Sequence, residues 1–187
     1  MGKIIFVTGG ARSGKSSFGE NLVKQYGQKI SYIATMNFFD EEMKDRVEKH
    51  KLRRNETFET VEAYKNFSEV FKNINRENLV LFDCLTNMIS NLLLENQVDF
   101  EKISQKEIEI LEKGINYEID DLILSLKNHK NDCIIVSNEL GMGLVPPYAL
   151  GRVFRDIAGR VNQLFAKEAH EVYFVVSGIP MKIKGDI

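Results

Sequence analysis

The stretch KIIFVTGGARSGKS, residues 3–16, decides how the rest of the chain is read. Ile4-Ile5-Phe6-Val7 is a β-branched and aromatic run too short for a helix, which predicts a buried strand over 3–8. It leads directly into Gly9-Gly10-Ala11-Arg12-Ser13-Gly14-Lys15-Ser16, a full match to G-x-x-x-x-G-K-[ST]. Gly9 and Gly14 free the backbone so that successive N–H groups can converge on phosphate oxygens. A helix predicted from about Gly14 to Tyr26 presents its positive end to the same anion. In such a loop the lysine, Lys15, reaches the β- and γ-phosphates, and the hydroxyl, Ser16, ligates Mg²⁺. GTP or ATP with Mg²⁺ is therefore the first expected ligand.

Working outward, short β-rich runs alternate with longer helical patterns. Strands are expected at 29–35, around 58–61, at 79–83, at 132–138 and at 171–177. Helices are expected near 41–54, from about 63, at 84–94, at 105–128 and at 150–168, with a polar surface loop at 95–103. Apolar strands separated by helices imply an α/β fold, a mostly parallel sheet with helices on both faces. At 187 residues, with no repeat, low-complexity tract or linker, the chain reads as a single domain, 1–187.

Composition narrows the function. A hydrophobic fraction of 43% and a charged fraction of 28% describe a soluble globular protein. The net charge of −2 supplies no basic field, so nucleic acid is not an expected partner. No apolar run approaches a membrane span, and the N-terminus lacks a signal-peptide pattern, so a cytoplasmic location is expected. Cys84 and Cys133 adjoin apolar runs and read as small apolar groups; with histidines only at 50, 129 and 170, a structural zinc site is not expected.

An open parallel sheet gathers its chemistry at the carboxyl ends of its strands. Asp83, closing Leu79-Val80-Leu81-Phe82, fits a carboxylate on the metal side, or else a cap for the helix that follows. Glu139, just past CIIVSN, has the same two readings, with a turn role as good as a metal role. In the segment 41–54, Met43, Val47 and His50 share a helical stripe, and Arg46, Arg53 and Arg54 are spatial neighbours of His50. Nearby cations keep an imidazole neutral and nucleophilic, able to attack an α-phosphorus. Spacing alone favours an ordinary helix residue on a solvated, ion-paired surface. On the helix 150–168, Val153, Ile157, Val161 and Leu164 form the expected buried stripe. Arg155, Gly159 and Asn162 are expected on the opposite side, a solvated face or a groove for substrate or subunit. From the residues alone, a P-loop kinase of another small metabolite or a nucleotide-gated switch module stays open.

Longer blocks resemble one family nearly end to end. They are VTGGARSGKS (7–16), YIAT (32–35), EEM…RV…HK…R (41–54), TVEA (60–63), FDCLTNMISNLL (82–93), VSNELGMGLVPP (136–147), FRDIAGRVNQ (154–163) and VVSGIPMKIK (175–184). The family is the bifunctional adenosylcobinamide kinase / adenosylcobinamide-phosphate guanylyltransferase of cobalamin assembly. The resemblance implies a RecA-like P-loop NTPase fold and a homotrimer. It implies phosphorylation of adenosylcobinamide by ATP or GTP, then transfer of GMP from GTP through a histidine to adenosylcobinamide phosphate, releasing pyrophosphate. It points to His50 as that histidine and Lys15 as its catalytic companion. It places nucleotide contacts on Gly9, Gly10, Ala11, Arg12, Ser13, Gly14, Lys15 and Ser16, on Ala34, Thr35 and Met36, on Lys51, Leu52, Arg53 and Arg54, and on Glu62 and Asp83. Many relatives carry Pro and Trp after the histidine, where this chain has Asn55-Glu56-Thr57-Phe58-Glu59 and no Trp.

Overall fold

The structure is a computed structural model and describes residues 2–35 and 58–186. The expected helix at 41–54, and with it His50, Met36, Lys51, Leu52, Arg53 and Arg54, lies outside the described residues.

In chain order the elements are β1 (Ile4–Gly9), α1 (Lys15–Gln25), β2 (Ile30–Ala34), β3 (Phe58–Glu62), α2 (Phe67–Asn73), β4 (Leu79–Asp83) and α3 (Leu85–Leu94). They continue with α4 (Gln105–Asn128), β5 (Cys133–Asn138), α5 (Ala149–Glu168), β6 (Glu171–Val176) and β7 (Ile179–Lys184). The strands form one seven-stranded sheet in the order β3-β2-β4-β5-β1-β6-β7. All neighbours pair in parallel except β6 and β7.

Period-two alternation along the strands builds a core on each face of the sheet. Ile4 and Phe6 of β1, with Val80 and Phe82 of β4, enter the core shared with α2 to α5. Ile5 and Val7, with Leu79 and Leu81, enter the smaller core beside α1. Burial on both faces is why these strands read as continuous apolar runs rather than alternating ones. At Gly19 a Cβ would stand 3.3 Å from Val136 Cγ2 and 3.4 Å from Leu81 Cδ1, so glycine lets α1 seat closely on the sheet. The long helix α4 starts at a capping box: Glu107 N–H donates to Ser104 Oγ at 3.3 Å, and Ser104 N–H donates to Glu107 Oε2 at 2.8 Å.

β7 is absent from the expectations drawn from the sequence. Its side chains are mostly exposed and Pro180 interrupts it, so it carries none of the burial pattern that marks the other strands. What makes it a strand is the turn before it. Ser177 and Gly178 both take positive φ, 51° and 83°, as a two-residue hairpin turn of the I′ kind requires, and Val176 then pairs with Ile179.

Two histidines serve the amino-terminal edge of the sheet. His129 is buried and donates from Nε2 to the Asn78 carbonyl at 2.8 Å, with Phe71 edge-on to its ring. His170 accepts the Ile4 N–H at Nδ1 at 2.9 Å. Among the described residues, no group of His, Cys, Asp and Glu is arranged to hold a metal by itself.

Candidate active site at the carboxyl edge of the sheet

Six parallel strands end on one edge: β1 at Gly9, β2 at Ala34, β3 at Glu62, β4 at Asp83, β5 at Asn138 and β6 at Val176. This edge collects the expected residues 9–16, Ala34, Thr35, Glu62, Asp83 and Glu139, because strand direction alone decides where the loops emerge. β5 lies between β1, which feeds the glycine-rich loop, and β4, which ends in Asp83.

The loop is a tight cradle. Ser13 N–H donates to Gly10 O at 3.2 Å, and α1 begins with Phe18 N–H donating to Gly14 O at 2.9 Å. Gly14 has φ 92°, a conformation that penalises any side chain. At Gly9 a Cβ would fall 2.5 Å from the Val175 carbonyl oxygen and 2.7 Å from Ser13 Oγ. The hairpin turn seals the cradle from outside: Gly178 N–H donates to Ser13 O at 2.8 Å, and its Cα would lie 3.2 Å from a Cβ on Gly14.

The cradle's polar atoms are not used up by the fold. Thr8 Oγ1 and Ser13 Oγ are buried without a hydrogen-bond partner. Lys15 is buried and its Nζ curls back to Gly10 O at 3.2 Å. Burial pushes its ammonium below the ordinary lysine value, against the pull of Cys84 and Asp83, whose proximity favours the charged form. A desolvated cation, unpaired hydroxyls and a helix N-terminus together accept a polyanion. Half-buried Ser16 and Asp83 carry hard oxygens of the kind Mg²⁺ takes, an ion whose remaining ligands are normally phosphates and waters. The donor set therefore fits that ion.

Asp83 does not cap the helix after it. The N-cap of α3 is Cys84, with no side-chain cap bond, while Tyr32 Oη donates to Asp83 Oδ2 at 3.5 Å. Glu139 follows its turn reading: its N–H donates to Gly9 O at 2.9 Å, and its Oε1 accepts Gly141 N–H at 2.6 Å. Thr35 is fully buried and occupied. Its hydroxyl donates to Cys84 O and accepts Cys84 N–H, both at 2.8 Å, and its carbonyl accepts Asn91 Nδ2 at 2.6 Å. Its visible work is to lock the end of β2 to the end of β4, holding Asp83 in place.

The helix α5 corrects two expectations, for Arg155, whose Nη1 is buried rather than solvated, and for Asn162. Asn162 does not project away from the buried stripe: its Nδ2 donates to Asn138 O at 2.9 Å and its Oδ1 accepts Ser137 Oγ at 2.7 Å. Asn138 Nδ2 in turn donates to Thr86 Oγ1 at 2.8 Å. These polar side chains tie the strand ends together beneath the site. Nothing in the sequence singled out Ser137, Thr86 or Asn91; polar residues inside otherwise apolar runs were the available signal.

Cys84 touches Thr86 Oγ1 at 3.1 Å, and burial, helped by Asp83, pushes its thiol up to about 11. Burial raises Cys133 as well. At pH 8 a thiol with such a value is about one part in a thousand thiolate. Neither cysteine is expected to react with iodoacetamide in the native protein while the denatured chain reacts fully. Mass spectrometry after timed quenching checks this, and fast native labelling of either would contradict the burial.

The model of one protein family, CobU, described as cobinamide kinase / cobinamide phosphate guanyltransferase, matches residues 5–183. The chain belongs to this family. It is 44% identical over 182 residues, 97% of this chain and 99% of the relative, to the bifunctional adenosylcobalamin biosynthesis protein CobU of Escherichia coli (strain K12). The protein of the same name from Salmonella typhimurium is 41% identical over 184 residues, again covering 97% and 99%. A solved structural-study protein of Pyrococcus horikoshii OT3 superposes with a TM-score of 0.58 over 99% of this chain and 87% of its own, at 7% identity, a likeness of fold alone. CobU proteins are bifunctional transferases, and the fold here is an α/β P-loop fold, a mostly parallel seven-stranded sheet whose first strand feeds the loop 9–16.

Proposed function

We propose that this CobU-family chain, acting as a single domain, carries out both reactions in its family's description at the edge built around residues 9–16. The observation that carries the reading is the cradle of unpaired Thr8 and Ser13 hydroxyls and desolvated Lys15, facing Asp83, in a chain matched to the family over 5–183.

In the first reaction the hydroxyl of adenosylcobinamide attacks the γ-phosphorus of ATP or GTP. The bond from that phosphorus to the β–γ bridging oxygen breaks, the nucleoside diphosphate leaves and the hydroxyl proton goes to solvent. The loop N–H groups and Lys15 hold and neutralise the phosphates. Ser16 and Asp83 would hold Mg²⁺, which when bound would supply further neutralisation of the phosphate charge. In the second reaction His50, as a neutral imidazole, attacks the α-phosphorus of GTP and pyrophosphate leaves. A phosphate oxygen of adenosylcobinamide phosphate then attacks the histidyl-GMP, the P–N bond breaks, and adenosyl-GDP-cobinamide forms. Guanosine contacts come from Ala34, Met36, Lys51, Leu52, Arg53, Arg54 and Glu62, while Thr35, buried and with its polar atoms taken up by Cys84 and Asn91, holds the strand ends beneath them. The engagement of His129 and His170 at the opposite edge of the sheet supports assigning the nucleophile to His50.

The reading includes a homotrimer in the cytoplasm, where ATP and GTP are supplied. Support for association comes from the edge strand β7, whose Ile179, Met181 and Ile183 are exposed.

The test is incubation of the protein with GTP labelled in the α-phosphate. Acid-labile, alkali-stable label on the polypeptide, discharged by cobinamide phosphate, is the expected result. Phosphorylation of cobinamide with no such label would reduce the protein to a kinase.

A further inference from the structure

The helix α5 carries three arginines, and the fold satisfies two of them. Arg152 donates from Nη1 to Pro146 O at 3.2 Å and Pro147 O at 2.7 Å. Arg160 pairs with Glu112. Arg155 differs: its Nη1 is buried and has no hydrogen-bond partner. A guanidinium stays charged under all ordinary conditions, and a desolvated donor on a cation without a partner is among the most costly groups a fold can contain. Proteins keep such groups where a ligand completes them.

The position of Arg155 indicates what that ligand is. α5 connects the carboxyl edge at β5 to the amino edge at β6, so its first turns lie over the edge that holds the cradle. Asn162 marks the level of the strand ends through its bonds to Ser137 and Asn138. Arg155 is seven residues earlier, which on an α-helix is the same side and about 10 Å further out, over the rim of the site. Its neighbour one turn on, Ala158, is buried, so the side chain faces the protein body.

We propose that Arg155 is a phosphate-binding residue of this site, its fork of N–H donors receiving the phosphate oxygens of a substrate. The inference rests on the two-reaction reading above and deepens it. Two substrates carry suitable oxygens: the phosphomonoester of cobinamide phosphate and the triphosphate of GTP.

The experiment compares the wild-type full chain with Arg155→Met and Arg155→Lys. KM for cobinamide phosphate in guanylyl transfer, KM for GTP in formation of enzyme-bound GMP, melting temperature and oligomeric mass are measured for each. A rise of about 10- to 100-fold in one KM in the methionine variant, partly recovered by lysine, is expected from losing a charge-assisted hydrogen bond. Which KM rises identifies the phosphate. The melting temperature of Arg155→Met is expected to equal or exceed that of the wild type, because a buried Nη1 donor without a partner has been replaced by an apolar chain. Unchanged constants in the two assays, a fall in melting temperature, or a change in oligomeric mass with both KM values intact would overturn the proposal. If the wild type forms no enzyme-bound GMP, the two-reaction reading fails instead. Calorimetric binding of inorganic pyrophosphate and of cobinamide phosphate to wild type and Arg155→Met then tests Arg155 by itself, equal affinity of the two proteins for both compounds overturning the proposal.

Discussion

His50→Ala is expected to lose the covalent GMP label entirely, a fall in guanylyl transfer of at least about a thousandfold, while most of the kinase activity survives. The asymmetry follows from which phosphorus each reaction uses. Phosphoryl transfer needs the γ-phosphorus held and its charge neutralised, which in the proposed mechanism falls to Lys15 and the loop. Guanylyl transfer needs a nucleophile at the α-phosphorus, and alanine offers none. Lys15→Ala is the informative contrast. It removes a buried cation that both reactions would use, so both are expected to fall by about 10²–10³-fold. Side-by-side assays of cobinamide phosphorylation and α-labelled enzyme formation check this. Equal losses from both substitutions would merge the two roles, and a fully labelled His50→Ala protein would move the nucleophile elsewhere.

Most of this site was legible in the sequence because its parts are local. A strand, two glycines, a lysine and a serine lie within 14 residues, and Asp83 closes an apolar run, so short-range pattern sufficed to place them. Parallel strand direction then brought Ala34, Glu62, Asp83 and Glu139 to the same edge. What escaped is long-range. The bonds from Asn162 to Ser137 and Asn138 join residues 24 or 25 apart, and Thr35 meets Cys84 across 49 residues. Helical periodicity sorts apolar from polar faces, and so it turned Asn162 outward; a polar residue buried against strand ends breaks that rule. β7 escaped for the opposite reason. An exposed edge strand buries too little to leave a pattern, and only its Ser177–Gly178 turn betrays it. His50 came within reach through likeness to a family; charge spacing on its segment describes many solvated helices equally well.

Phe82→Ala is expected to cost about 3–5 kcal/mol of stability, the range for truncating a buried phenylalanine. Phe82 is fully buried in β4, near the middle of the sheet, and packs edge-on against Phe67 at a centroid distance of 5.6 Å. Its ring is part of the core beneath α2 to α5, and the cavity left behind has sheet backbone on one side, which relaxes little. Against a typical total of 5–15 kcal/mol, such a loss leaves a marginal protein. Because Asp83 is the next residue on the same strand, weakening the seat of β4 should also loosen the carboxylate opposite Lys15, and kinase activity at a temperature where the variant is still folded should fall as well. Phe82→Leu keeps most of the volume and is expected to cost less than about 1.5 kcal/mol with activity largely intact. Urea denaturation of the three proteins, with kinase rates measured below the onset of unfolding, separates the two effects. A loss under about 1 kcal/mol for the alanine variant would mean that β4 is not the packed centre on which the placement of Asp83 depends.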